Sequence, residues 1–142
     1  MQAELKKAAF VVPGDPTGKS RPRFVRATGR TYTPAKTAQY ENLVKLEYER
    51  ACAGKRFGDY AALRMRVKAY YGIPKSASKR KQEQMTGGTL RPMKKPDASN
   101  VLKAIEDGLN GVAYRDDAQI VHVEIEKWFS EVPRVEVELW TV

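Results

Sequence analysis

Lys95-Pro96-Asp97-Ala98-Ser99-Asn100-Val101-Leu102-Lys103-Ala104-Ile105-Glu106-Asp107-Gly108-Leu109-Asn110-Gly111-Val112-Ala113-Tyr114-Arg115-Asp116-Asp117-Ala118-Gln119 is the stretch on which the reading of this chain turns. Pro96 suits the edge of a helix start, and Asp97 is an N-cap residue whose carboxylate can accept from the free amides of the first turn. At about 100° per residue, Ala98, Val101, Leu102, Ile105 and Leu109 gather on one side. Asn100, Lys103 and Asp107 gather on the other, with Asp97 at their edge. Gly108 and Gly111 bracket Leu109-Asn110, so the helix ends near Asn110. The alternation that starts at Ile120 reads as a strand, with Asp116 and Asp117 at its beginning.

Carboxylates from a helix start and a strand start that converge on one spot repel each other unless a cation lies between them, and hard divalent ions take oxygen ligands. A lysine on the same face can neutralise negative charge developing on a phosphate. Metal-assisted phosphodiester hydrolysis needs both. Each residue also has an ordinary reading: Asp97 as a cap, Asp116-Asp117 as a solvated turn, Lys103 as an exposed helix residue. Their joint appearance is what favours a site.

The pattern Lys-Pro-Asp, then Asn100, Lys103 and Asp107, then Leu-Asn-Gly, then Asp-Asp-Ala-Gln-Ile resembles the RusA family of Holliday junction resolvases of bacteriophages and prophages. Pro13-Gly14-Asp15-Pro16, Arg21-Pro22-Arg23 and Thr31-Tyr32-Thr33-Pro34 add to the likeness. The resemblance implies a homodimeric, Mg²⁺-dependent endonuclease, with Mn²⁺ as a substitute, that nicks four-way junction DNA symmetrically. It places the catalytic, metal-holding acids on Asp97 and Asp117, the essential lysine on Lys103 and a supporting acid on Asp116, with Asn100 and Asp107 as further motif positions. One position departs from the pattern. The family expects Pro-Asp-x-Asp-Asn, and Ser99 stands at the second acid. A serine hydroxyl is a neutral and poor Mg²⁺ ligand, so slow or absent cleavage is expected.

The chain has 142 residues, 42% of them hydrophobic, which fits one domain, 1–142, with a modest core. No apolar run approaches the roughly 20 residues of a membrane span, and the N-terminus lacks the apolar block of a signal peptide, so a cytoplasmic protein is expected. Cys52 is the only cysteine, which rules out an intramolecular disulfide. His122, the only histidine, reads as a structural or exposed strand residue. Lys and Arg number 26 against 17 Asp and Glu, a net charge of +9 that favours a polyanionic partner.

Residues 7–13 read as a short apolar strand. Residues 14–29 form a basic loop in which Lys19, Arg21, Arg23 and Arg26, with Arg30 just beyond, are suited to phosphate contacts. Phe24 and Tyr32 either pack or stack on bases. Pro34 begins a scaffold helix after the cap Thr33; Ala38, Tyr40, Leu43, Val44, Leu46 and Ala51 form its buried side. Residues 61–73 are a strand with one buried face and one basic face, which lies along DNA or meets solvent. Lys75, Lys79, Arg80, Lys81, Lys94 and Lys95 belong to a second basic segment. Its short helix, 76–85, is expected to be loosely held, beside the acidic site, where it engages DNA. Residues 120–129 and 134–142 read as an antiparallel hairpin with an acidic outer face that serves charge balance.

The assembled order predicts a single α+β domain, a mixed sheet with helices packed on one side. The competing reading is a DNA junction-binding protein without catalysis. An RNA-binding module is a weaker third, because the aromatic strand motifs of one common RNA-binding class are missing.

Overall fold

The computed structural model describes residues 4–20, 23–32 and 34–142, and of Arg23 and Tyr32 the backbone alone. Arg21, the cap residue Thr33 and the side chains of Arg23 and Tyr32 therefore lie outside the described residues. Along the chain come β1 (Lys7–Pro13), β2 (Arg23–Val25), β3 (Arg30–Tyr32), α1 (Ala35–Cys52), β4 (Leu63–Gly72), α2 (Lys79–Thr86) and α3 (Ala98–Leu109). A single 3-10 turn (Asp117–Gln119), β5 (Ile120–Ser130) and β6 (Arg134–Thr141) follow.

Alternation builds the sheet. Ala8, Phe10 and Val12 of β1, Leu63, Met65, Val67, Ala69 and Tyr71 of β4, and Val135, Val137 and Leu139 of β6 point to one face, where all are buried. Val101, Ala104, Ile105 and Leu109 of α3 and Tyr40, Val44 and Tyr48 of α1 close over them. The buried side of α1 is Thr37, Tyr40, Val44 and Tyr48, a run at helical spacing. Ala38, Leu46 and Ala51 are exposed instead, because tyrosines and a threonine, not the leucines, take the inward stripe.

The four-stranded sheet runs β1-β6-β4-β5, with β4 and β5 parallel and the other pairs antiparallel. The expected β5–β6 hairpin does not form, because β4 lies between them. Two strand spacings are about 9.6 Å, and the four Cα steps from Ser130 to Arg134 reach about 13 Å, so the short connection can straddle a strand. It crosses the end of β4 at Gly72, where a Cβ would lie 3.3 Å from Pro133 Cγ. Parallel pairing of β4 and β5 demands a crossover, and α3 supplies it. β5 is an edge strand with thin cover, and its inward-pattern residues Val121 and Val123 remain exposed.

The two basic segments, one expected as a loop and one as a loosely held short helix, are more ordered than the sequence suggests. The basic stretch after residue 20 carries the β2–β3 hairpin, with Gly29 at φ 65° in its turn. The second basic segment is anchored on β5: Arg91 lies 3.3 Å over the Trp128 ring and its Nε donates to the Lys127 carbonyl at 2.6 Å.

Candidate active site

The opening of α3 is set by Asp97 at the N-cap position, but its carboxylate makes no capping hydrogen bond. It stands exposed beside Tyr71 at the far end of β4. Burial, with Asp97 next to it, pushes the Tyr71 hydroxyl up to about 12, and that hydroxyl donates to the Pro96 carbonyl at 2.6 Å. Ser99 and Asn100 follow, both exposed. The Asn100 carbonyl accepts from the Lys19 amide at 3.0 Å. Gly18 permits that approach, since a Cβ there would sit 2.8 Å from Pro96 Cβ.

The polar strip of α3 meets the turn before β5 at its other end. Lys103 Nζ lies 3.2 Å from Asp107 Oδ1 and 3.5 Å from Asp117 Oδ2. The Asp107 hydrogen bond outweighs the opposing effect of burial and, with the charges of Asp117 and Glu106, raises the Lys103 pKa. Asp117 is held by Asn110: its amide donates to Asn110 Oδ1 at 3.0 Å, and Asn110 Nδ2 donates to Asp117 Oδ2 at 3.4 Å. Glu106 joins this group from the next position on the strip. Burial first, then Asp117 and Asp107 against Lys103, raises its carboxyl above the usual range. Tyr114, buried beneath, donates from its hydroxyl to the Glu106 carbonyl at 2.8 Å.

Asp116 has structural work. Its Oδ2 accepts from the Ala118 amide at 3.1 Å, and Gln119 Oε1 accepts from the Asp116 amide at 3.2 Å, a capping box that shapes the 3-10 turn. Gln119 Nε2 then donates to the carbonyls of Gly58 and Ala61, tying the turn to the body of the protein.

Lys103, Asp107 and Asp117 are thus brought together, and Asp97 is not. Ten residues of helix, about 15 Å of rise, separate Asp97 from Asp107. Among the described residues no three His, Cys, Asp or Glu side chains converge to hold a metal ion. Ser99 is neutral and the Lys103 ammonium bridges Asp107 and Asp117, so the carboxylates left to receive a divalent cation are Asp97 at the start of α3 and Asp107 and Asp117 towards its far end. Ser99 lies one turn before Lys103 on the same strip, where a carboxylate would face it.

The expected DNA contacts divide. Lys19 is not free: its Nζ pairs with Glu41 Oε1 at 2.8 Å and Asp107 Oδ2 at 3.1 Å. Arg26, Lys75, Lys79, Arg80, Lys81, Lys94 and Lys95 are exposed. The α2 segment packs at Trp128, about 26 Å along β5 from its start, so it neighbours the Asp97 end of α3 and not Asp117. The basic face of β4 is internally balanced: Arg66 pairs with Glu126 at 3.3 Å and Glu124 at 3.8 Å, while Glu138 and Glu136 of β6 lie opposite Arg66 and Lys68. The acidic strands do serve charge balance. Sequence reasoning singles out neither Glu41 nor Glu106 nor Asn110 as a site residue. The last two were findable, since both share the helical strip of Lys103.

Comparison with known proteins supplies the family. A family model described as Endodeoxyribonuclease RusA matches residues 13–140. The chain is also 39% identical over 137 residues to an uncharacterized protein, YqaN, of Bacillus subtilis (strain 168), covering 90% of this chain and 92% of that relative.

Proposed function

Because the chain belongs to the RusA family of endodeoxyribonucleases, which are Holliday junction resolvases and generally depend on a divalent metal, we propose that it binds four-way DNA junctions as a homodimer and nicks them in pairs, slowly, with Mg²⁺ or Mn²⁺ as its metal. The observation that carries this reading is the Lys103 ammonium, held 3.2 Å from Asp107 and 3.5 Å from Asp117 within the family's own motif. Lys103 is half exposed and fully charged at neutral pH, so it can meet a phosphate oxygen and offset charge that grows there. Asp97 and Asp117 are the acids of the reaction in this reading, with Asp116 shaping the turn that presents Asp117.

The metal ion, when bound, supplies Lewis-acid polarisation of the phosphate and an acidified water. The protein residues place the backbone. Arg26 on the β2–β3 hairpin, Lys95 beside α3 and Lys79, Arg80 and Lys81 on α2 present cations to phosphates, with Lys75 and Lys94 flanking them; Arg21 and Arg23 extend the set by sequence. A two-fold dimer matches the two-fold junction and provides two sites for paired cuts. Slowness follows from Ser99, which removes a carboxylate one turn from Lys103.

Incubation of the purified protein with a labelled four-way junction in Mg²⁺, then Mn²⁺, tests this. Paired nicks at symmetric positions are expected. A shifted band with intact strands under both metals favours the second reading, a junction-binding protein without cleavage, for which Ser99 and the absence of three converging acids among the described residues are the specific support.

A further inference from the structure

We propose that Lys19 is a positioning residue: it clamps Asp107 from one side so that the other oxygen of that carboxylate aims Lys103 at Asp117. The proposal rests on the nuclease reading for its consequence in catalysis, but its geometry stands on four side chains in line. Lys19 Nζ lies 2.8 Å from Glu41 Oε1 and 3.1 Å from Asp107 Oδ2, and Asp107 Oδ1 lies 3.2 Å from Lys103 Nζ. The side chains of Lys19, Glu41 and Asp107 are 22%, 15% and 18% exposed, against 52% for Lys103. The chain of charges therefore runs from a sheltered anchor to an accessible working end, and the sheltered pairs are less screened than surface ones.

Each link is fixed by a different element. Glu41 comes from α1 and Asp107 from α3, and Lys19 enters between them from the loop. The loop itself is pinned, because the Lys19 amide donates to the Asn100 carbonyl at 3.0 Å and Gly18 packs against Pro96 and Asn100. Burial opposes the Lys19 charge, yet the two carboxylates together outweigh it and raise its pKa. A lysine that reaches out to a phosphate needs none of this. Without Lys19, Asp107 keeps only the half-exposed Lys103 as a cationic partner among these contacts, and both side chains lose their fixed direction. Lys19 also lies just before β2, so the same clamp ties the root of the basic hairpin to the helix that carries Lys103.

The test compares Lys19→Met and Lys19→Arg with the parent, each with and without Ser99→Asp, for junction affinity and for single-turnover nicking at saturating protein. Lys19→Met is expected to slow nicking at saturation about tenfold while affinity stays within about twofold, and Lys19→Arg to recover most of the rate. Weakened affinity with an unchanged rate at saturation overturns the proposal and makes Lys19 a backbone contact. A second readout needs no cleavage: spectra of ¹³C-dimethylated lysines, with Lys103→Arg for assignment. The Lys103 resonance is expected to move in Lys19→Met and to return in Lys19→Arg. An unmoved resonance overturns the clamp; a moved one with no nicking in any form leaves the clamp standing and removes the nuclease reading instead.

Discussion

Glu106 carries a charge that its surroundings resist. Its raised carboxyl, caused by burial and then by Asp117, means that the folded protein holds a proton on Glu106 at pH values where the unfolded chain has released it. The native state binds more protons in that window, so stability falls as pH rises through it. Glu106→Gln should therefore raise the melting temperature at pH 7 and leave it nearly unchanged at pH 3, below the ordinary glutamate range; equal shifts at both would contradict the assignment. Tyr114→Phe removes a buried hydroxyl that serves the Glu106 carbonyl at 2.8 Å, and urea denaturation should show a loss of about 1 kcal/mol. At this scale the legible contacts were local. The Lys103–Asp107 pair follows from i,i+4 spacing, whereas Lys19–Asp107 joins residues far apart in sequence, and nothing around Lys19 in the sequence distinguishes it from the exposed Arg26 and Arg30 that follow. Asp116, the supporting acid that the resemblance implies, also closes a capping box with Gln119, and an Asp-x-x-Gln capping box and half of an acid pair are written with the same residues.

Strands were readable one at a time, because alternation reports which residues face inward; β1 and β4 came out nearly residue for residue. Partners were not. A three-residue connection between two strands suggests a hairpin, yet the same connection steps over β4 once Gly72 makes room for Pro133. The inward stripe of α1 is legible only in part for a related reason: Tyr40 and Val44 read as buried, but Thr37 and Tyr48 carry polar atoms, and only the packed structure shows that they outcompete Leu46. Gly18 is an element-scale position sensitive to change. Gly18→Ala would set a Cβ 2.8 Å from Pro96 Cβ and 3.1 Å from Asn100 Cβ, and denaturant titration should show a loss of about 1–3 kcal/mol. For α2, replacement of Lys79, Arg80 and Lys81 by Ala should weaken junction binding and reduce the slope of log affinity against log salt by about 1 to 3; an unchanged slope removes α2 from the DNA interface.

Across the whole molecule, the net charge of +9 is unevenly arranged. The sheet face away from α1 and α3 neutralises itself, with Arg66 between Glu124 and Glu126 and Arg134 2.8 Å from Glu136. The exposed cations of the hairpin, of residue 95 and of α2 are left to meet a polyanion. Among the described residues no helix is long and apolar enough to cross a membrane. The α+β class and the acidic helix were legible because both rest on local periodicity. Motif order names Asp97 and Asp117 as one pair of acids, and it is blind to the length of the helix that carries Asp97 away from Asp107. On the proposed reading, the site at Lys103 wants a carboxylate where Ser99 stands. Nicking of a four-way junction by the parent and by Ser99→Asp at saturating Mg²⁺ decides it: a rate at least about tenfold higher is expected for Ser99→Asp, and equal rates overturn the reading.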